Sequence, residues 1–347
     1  MPTSGCDLGP SFALECLAVA RRVLEGGETG RALAGARPLA AHGGEHGRGA
    51  DEAAEEERAQ PFCPWFPVHA TIVAVICTLG DLLLDVIVRA PEPLAAGADT
   101  PVETRVISGG QAANVASWVA ELGEHARFIG KQADDPAGAL VRSLLERRGV
   151  ELAGPRVEGK TGVVVSLVAA DGNRSMATDR GIAPELREDE LETAWFEGCR
   201  WLHLSGYSLL AEPIAGAALA AAGLARDKGG RVSVDLSSWS AIRAYGPQRF
   251  RASLEELACD VVFANEPEWE LVGGAYGLGE TAVVKRGSRG VVVMGAGGAE
   301  EHPPAGAEVV DTTGAGDALA AGFIAGGIEL GLETAARCVA QLGAVPM

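Results

Sequence analysis

From residue 71 onward the apolar positions fall into two alternating textures. Compact apolar runs of strand length lie at 71–79, 126–130, 201–204, 232–235, 261–264, 282–285 and 291–294. Residues 111–122 and 138–148 instead carry apolar side chains at helical spacing, and Ala-rich stretches of the same kind separate the later runs. Short runs that alternate with helices predict an α/β fold, a doubly wound and mostly parallel sheet covered on both faces. One stretch breaks the rhythm. Residues 162–170 and 175–178 flank Asp171-Gly172-Asn173, a hairpin turn signal, and 102–107 is also strand-like. These predict a small separate β layer, with elements near 95–108 and 158–182. Residues 82–88, apolar but broken by Asp85, read as the exit of the first strand.

Residues 1–70 have a different texture. They are rich in Ala, Gly, Arg and Glu, have no strand-like run, and offer one short amphipathic stretch at 12–24. They read as a disordered N-terminal extension to a single domain over 71–347. No basic start, apolar core and small-residue cleavage site follow one another, so a secretion signal is not expected. Nor does any apolar run reach bilayer length. The net charge of −18 argues against nucleic-acid and membrane-surface partners. Seven cysteines without paired spacing suit a reduced, cytoplasmic setting and not a disulfide scaffold or zinc site.

The chemistry concentrates in Asp311-Thr312-Thr313-Gly314-Ala315-Gly316-Asp317, followed by small and apolar residues of helical character. A glycine turn lets backbone N–H groups approach a ligand closely. The first N–H groups of the helix have no internal partner, and its dipole favours an anion there. Asp317 stands beside that anion hole as an acceptor for a hydroxyl proton. Such a pairing serves phosphoryl transfer to an alcohol.

The run resembles the signature of the ribokinase-like sugar kinases, the PfkB carbohydrate kinase family. The resemblance covers about residue 71 to the end. It implies a doubly wound core with a β lid over the sugar, ATP as co-substrate, and Mg²⁺. It makes Asp317 the catalytic base and the backbone of Gly314, Ala315, Gly316 and Asp317 the anion hole. Ser108-Gly109-Gly110-Gln111-Ala112-Ala113-Asn114 is similar to the family's first signature, with Gly109, Gly110 and Asn114 on sugar hydroxyls. In Gly80-Asp81-Leu82-Leu83-Leu84-Asp85, the spacing matches Asp85 to the family's substrate aspartate, while Asp81 is equally suited to capping a strand end. Leu83 stands where ribokinases proper carry Asn, which counts against ribose itself. Asn265-Glu266-Pro267-Glu268 matches the family's Asn-x-x-Glu, implying Asn265 at the nucleotide and Glu268 at Mg²⁺ through water. Lys285 and Gly287 fall where the family usually has Thr-Leu-Gly beside the nucleotide. Asp311 and nearby carbonyls would hold a monovalent cation such as K⁺.

Two matches by letters carry less. Gly154 to Thr161 satisfies the Walker A pattern, but a strand-like run follows it where a phosphate-binding helix is required. Val234-Asp235-Leu236-Ser237-Ser238-Trp239 stands where several fructose and ketodeoxygluconate kinases carry Asp-x-Asn-x-Arg; the Asn and Arg are missing. Asp179-Arg180-Gly181 ends the expected lid and is placed to cap the sugar. With no Arg assigned to an acid group, the expected substrate is a small neutral sugar or polyol phosphorylated on a primary hydroxyl. A nucleoside kinase of the same fold is the alternative, and a silent sugar- or nucleotide-binding regulator a further one. A homodimer through the lid is compatible with this reading. A nicotinamide-dependent oxidoreductase is disfavoured, because no Gly-x-Gly-x-x-Gly follows the first strand.

Overall fold

The computed structural model of the chain describes residues 73–169, 174–274 and 277–347. The expected extension over 1–70 and the Asp171-Gly172-Asn173 turn lie outside them. The chain opens with β1 (Val75–Leu79), then leaves the first layer for β2 (Leu83–Arg89) and β3 (Glu103–Gly109). Helix α1 (Gln111–Glu121) brings it back to β4 (His125–Ile129), and β5 (Gln132–Ala133), α2 (Pro136–Arg147), β6 (Glu151–Ala153) and β7 (Arg156–Val157) follow. It leaves again for β8 (Thr161–Val168) and β9 (Arg174–Gly181). The second half alternates β10 (Cys199–Ser205), α3 (Ile214–Asp227), β11 (Arg231–Asp235), α4 (Trp239–Tyr245), α5 (Pro247–Leu257), β12 (Cys259–Asn265) and α6 (Glu266–Leu271). It closes with β13 (Gly279–Lys285), β14 (Val291–Gly295), β15 (Gly298–His302), α7 (Ala315–Gly326) and α8 (Ile328–Val339).

Nine strands form the main sheet in the order β15-β14-β13-β12-β11-β10-β1-β4-β6. It is parallel from β6 to β13, and β14 and β15 are antiparallel additions at one edge. The central strands are buried from end to end, which is why they read as continuous apolar runs and not as alternation. One core lies between the sheet and α3, where Ala217, Ala218, Ala221 and Ala222 let the helix approach closely. The other lies under α1 and α7, around Trp118, Phe128 and Phe263.

The second layer has the order β3-β2-β8-β9, the expected lid. It corrects one expectation. Residues 83–89 are not the exit of β1 but a full lid strand, antiparallel to β3 and parallel to β8. Asp85 therefore stands on the lid. The expected element near 95–108 narrows to β3, and the first strand begins at Val75. β15 escaped the sequence reading because its residues are almost all exposed, leaving no apolar alternation to detect.

The Walker-like loop ends in a strand, as its sequence context required. Asp135 caps α2 by accepting from Gly138 N at 2.7 Å, and it also accepts from Thr161 N at 3.0 Å and from the Thr161 hydroxyl. Those contacts start β8, and Lys160 pairs with Asp179 across to β9.

Candidate active site

Two cavities meet at the carboxyl end of the main sheet. The first, about 260 Å³, lies between sheet and lid and is lined by Asp85, Gly110, Asn114, Glu268, Gly314 and Asp317 among others. The second, about 800 Å³, is walled by Gly287, Val291, Pro304, Ala315, Leu332 and Ala336 among others and is largely apolar. Asn265, Lys285, Thr312 and Gly316 line both. The sequence-predicted residues are thus brought together from five separate stretches of chain. Gly109 and Asp311 lie behind the wall.

Each part has a local cause. Gly314 takes φ 77°, the left-handed region that favours glycine, and a Cβ there would stand 2.6 Å from Ala344. Among the described residues no side chain caps α7; Ala315 N donates to Thr312 O at 3.3 Å, and Gly314, Gly316 and Asp317 line the cavity at the helix start. Asp311 holds this loop from below. Its Oδ1 accepts from Thr313 N at 2.9 Å and Thr313 Oγ1 at 2.6 Å, and its Oδ2 accepts from Gly343 N at 2.9 Å. Oδ1 thus organises the loop, and Oδ2 ties it to the C-terminal segment. Gly109 makes room for Asp85, since a Cβ there would lie 1.9 Å from the carboxylate.

The electrostatics single out two carboxylates. Asp317 is pushed up to about 7 by burial, with Asp235 adding to the rise and the hydrogen bond from Asn114 and the charge of Lys285 opposing it. Asn114 Nδ2 donates to Asp317 Oδ2 at 2.9 Å. Asp85 is also pushed up to about 7, by burial and then by Asp317. Among the described residues Asp85 Oδ1 and Asn114 Oδ1 are buried without a partner, two acceptors open to a ligand's hydroxyl groups. Glu268 forms a reciprocal cap with Asn265. Its Oε1 and Oε2 accept from Asn265 Nδ2 and N, both at 2.8 Å, while Glu268 N donates to Asn265 Oδ1 at 2.9 Å. The remaining lone pairs of Glu268 suit a hydrated Mg²⁺. Among the described residues no cluster of three or more His, Cys, Asp or Glu could hold a metal ion by itself.

Several residues of the site were not read from the sequence. Gln111 Oε1 accepts from Ser205 Oγ at 2.7 Å and from the Ser237 hydroxyl. Ser237 itself has φ 74°, an uncommon conformation for serine, and lies in the segment set aside for lacking Asn and Arg. Asp235 pairs with Lys285. Two arginines of β9 also reach the first cavity. Arg180 makes a two-pronged pair with Asp81, at 2.6 and 2.9 Å, and stacks over Tyr207. Arg174 donates to Thr313 Oγ1 at 2.6 Å, linking lid to loop. Arg180 belongs to the Asp179-Arg180-Gly181 end of the lid that the sequence set over the sugar, whereas Arg174 was not foreseen. The two come from a lid strand of otherwise polar sequence, and only pairing with β8 brings them to the cavity.

Comparison with known proteins agrees with this geometry. Residues 74–346 match the model of the pfkB family carbohydrate kinases. The chain is 35% identical over 280 residues to an ATP-dependent ribose-1-phosphate kinase of Halopiger xanaduensis, covering 76% of this chain and 90% of that one. It is 30% identical over 281 residues to a fructokinase of Escherichia coli, covering 76% and 88%. Among solved structures it resembles the adenosine kinase of Sinorhizobium meliloti, with a TM-score of 0.70 and 26% identity over 80% of this chain and 96% of that one. Fold, glycine loop and matched span agree, and the chain belongs to the pfkB family and is an ATP-dependent carbohydrate kinase.

Proposed function

We propose that the protein transfers the γ-phosphoryl group of ATP to a primary hydroxyl of a small sugar or nucleoside bound under the lid. One observation carries this reading: the start of α7 stands where the two cavities meet, with Gly316 lining both and Asp317, the next residue, lining the first. The sugar lies in the first cavity, with Asp85, Gly110 and Asn114 on its hydroxyls. The nucleotide lies in the second, its base against the apolar wall and its phosphates reaching Asn265, Lys285 and the Gly287 turn. The acceptor hydroxyl attacks phosphorus, its proton passes to Asp317, and ADP departs with the bonding electrons. The backbone of Gly314 to Asp317 meets the charge on the phosphoryl oxygens. Positioning and charge supply most of the acceleration in such a transfer. Mg²⁺ supplies neutralisation of the phosphates, and Glu268 would reach it through water. A K⁺ ion would be held by Asp311 and nearby backbone carbonyls; turnover in K⁺ against Na⁺ tests this.

Four buried free cysteines, Cys77, Cys199, Cys259 and Cys338, suit work in the reducing cytoplasm. No helix among the described residues is long and apolar enough to cross a membrane. Val102 and Val106 are exposed at the lid's β3 edge, which supports a homodimer through the lid; sedimentation of the full chain tests it.

A phosphorylated pentose is the second reading, favoured by Arg174 and Arg180 in the sugar cavity and by the relative that acts on ribose-1-phosphate. The deciding experiment is an ADP-release screen over ribose, ribose-1-phosphate, fructose, aminoimidazole riboside and adenosine. Turnover of one neutral acceptor well above the others supports the first reading, and turnover confined to ribose-1-phosphate supports the second. No turnover of any acceptor would refute both.

A further inference from the structure

Lys285 occupies an unusual position for a residue at the end of a buried strand. It lines both cavities, and among the described residues it is the only cation that does; Arg174 and Arg180 line the first alone. Its ammonium group lies against the anion loop, since a Cβ added to Gly316 would stand 3.0 Å from Lys285 Nζ. Asp235 of β11 pairs with it, and the Asp235 side chain is only 2% exposed. Glu268 and Asp317 face it as well. Burial works against its charge, yet these three carboxylates outweigh that cost and hold Lys285 above the usual lysine range. The commonest form of the family's motif has Thr here, a donor without charge.

A structural role would be a salt bridge joining β11 to β13. That explanation is thin, because a buried ion pair gains little over apolar packing. It also leaves unexplained why the Lys285 end of the pair lines both cavities, with Glu268 and Asp317 lining the first beside it. An ammonium has three donors. One on Asp235 leaves two for phosphate oxygens, so Lys285 need not leave its partner to act.

Resting on the reading of this site as a kinase centre, we propose that Lys285 is the cation that contacts the transferred phosphoryl group itself, with Asp235 as its positioning residue. Lys285 stays protonated throughout. The acceptor oxygen forms its bond to phosphorus, the bond to the β-phosphate oxygen breaks with its electron pair leaving on ADP, and the acceptor's proton goes to Asp317. Lys285 follows the charge on the moving group from the nucleotide cavity toward the sugar cavity.

The test is equilibrium binding of Mg-ADP and of Mg-β,γ-imido-ATP to the full chain, wild type against Lys285→Met. The variant should keep its ADP affinity within about 3-fold and lose about 10- to 100-fold for the imido analogue, the size of one charge-assisted hydrogen bond. Turnover with the best acceptor of the screen should fall by about 100-fold or more. Lys285→Met leaves Asp235 buried and unpaired, so the double variant Lys285→Met/Asp235→Asn is measured beside it, with melting curves for both. It should show the same selective loss for the analogue carrying a γ-phosphate. Equal losses for the two nucleotides, or no loss for either, in whichever variant melts like wild type would overturn the proposal. The binding measurement needs no acceptor, so it stands apart from the screen: a wild type that phosphorylates nothing refutes the kinase reading, not the contact of Lys285 with the γ-phosphate.

Discussion

At the scale of single residues, Asp317 is tuned by its surroundings. An exposed aspartate is a poor base near neutral pH because it binds protons weakly. Burial raises this one toward about 7, nearer the value that suits proton transfer at neutral pH. Asp317→Asn should fold and bind ATP but lose about 10²–10⁴ in turnover, measured by ADP release. The wild-type kcat/KM should rise with pH through about 7 as Asp317 loses its proton. A flat profile across that range would count against the assignment. The same shift has a stability sign. The folded form holds a proton on Asp317 that the unfolded chain has already released between about pH 4 and 7. This contribution is fully present below the unfolded value and is lost as pH rises through the folded one. Asp317→Asn should therefore be more stable than wild type at pH 8, by about 2–4 kcal/mol, and show no such gain near pH 4. Denaturant melts at the two pH values check this, and an equal difference at both would mean that burial of the charge is not what costs stability.

At the scale of elements, the lid and the loops decide which residues meet substrate. Strand β2 carries Asp85 over the cavity, and its buried Oδ1 has no partner among the described residues. Asp85→Ala should raise the KM for the sugar by about 10-fold or more while the ATP KM stays within about 2-fold, the loss expected for hydrogen bonds to a charged group. Parallel steady-state titrations separate the two, and an equal rise in both would place Asp85 outside the sugar site. The Walker-like loop is the converse case. Lys160 sits at the start of β8, paired with Asp179 and two-thirds exposed, so Lys160→Ala should leave ATP affinity within about 2-fold, as surface ion pairs are worth little. Lost nucleotide binding in that variant would reinstate the loop. The sequence read this motif correctly because an element's context is local: a run of valines after Thr161 is a strand whatever precedes it. It read 82–88 less well. Gly80-Asp81 marks the break between Leu79 and Leu82, but a turn signal does not say whether the apolar run after it rejoins the same sheet or starts another.

At the scale of the whole molecule, the family match begins at residue 74, close to where the apolar rhythm begins. A chain starting at Pro67 is expected to stay soluble and to keep wild-type turnover, because the residues before it lack the periodicity needed to join a core. Size-exclusion and activity measurements on that truncation give the answer; aggregation or lost activity would mean that the segment packs on the kinase domain.

The fold class, the glycine loop with the aspartate that follows it, and a minority of the residues lining the two cavities were legible in the sequence. Each depends on local chemistry: a buried strand must be apolar throughout, a turn without side chains needs glycine, and an open helix start follows from both. The pairings across the cavity were not legible. Lys285 with Asp235, Ser205 and Ser237 on Gln111, and Arg180 with Asp81 join residues 50 to 126 positions apart. Nothing in the neighbouring sequence distinguishes such a charge from a solvated one. Only the strand order, which sets β11 one strand from β13 and lays β9 beside the mouth of β1, brings these groups within bonding distance and out of water. There the electrostatic terms that raise Asp317 and hold Lys285 become large.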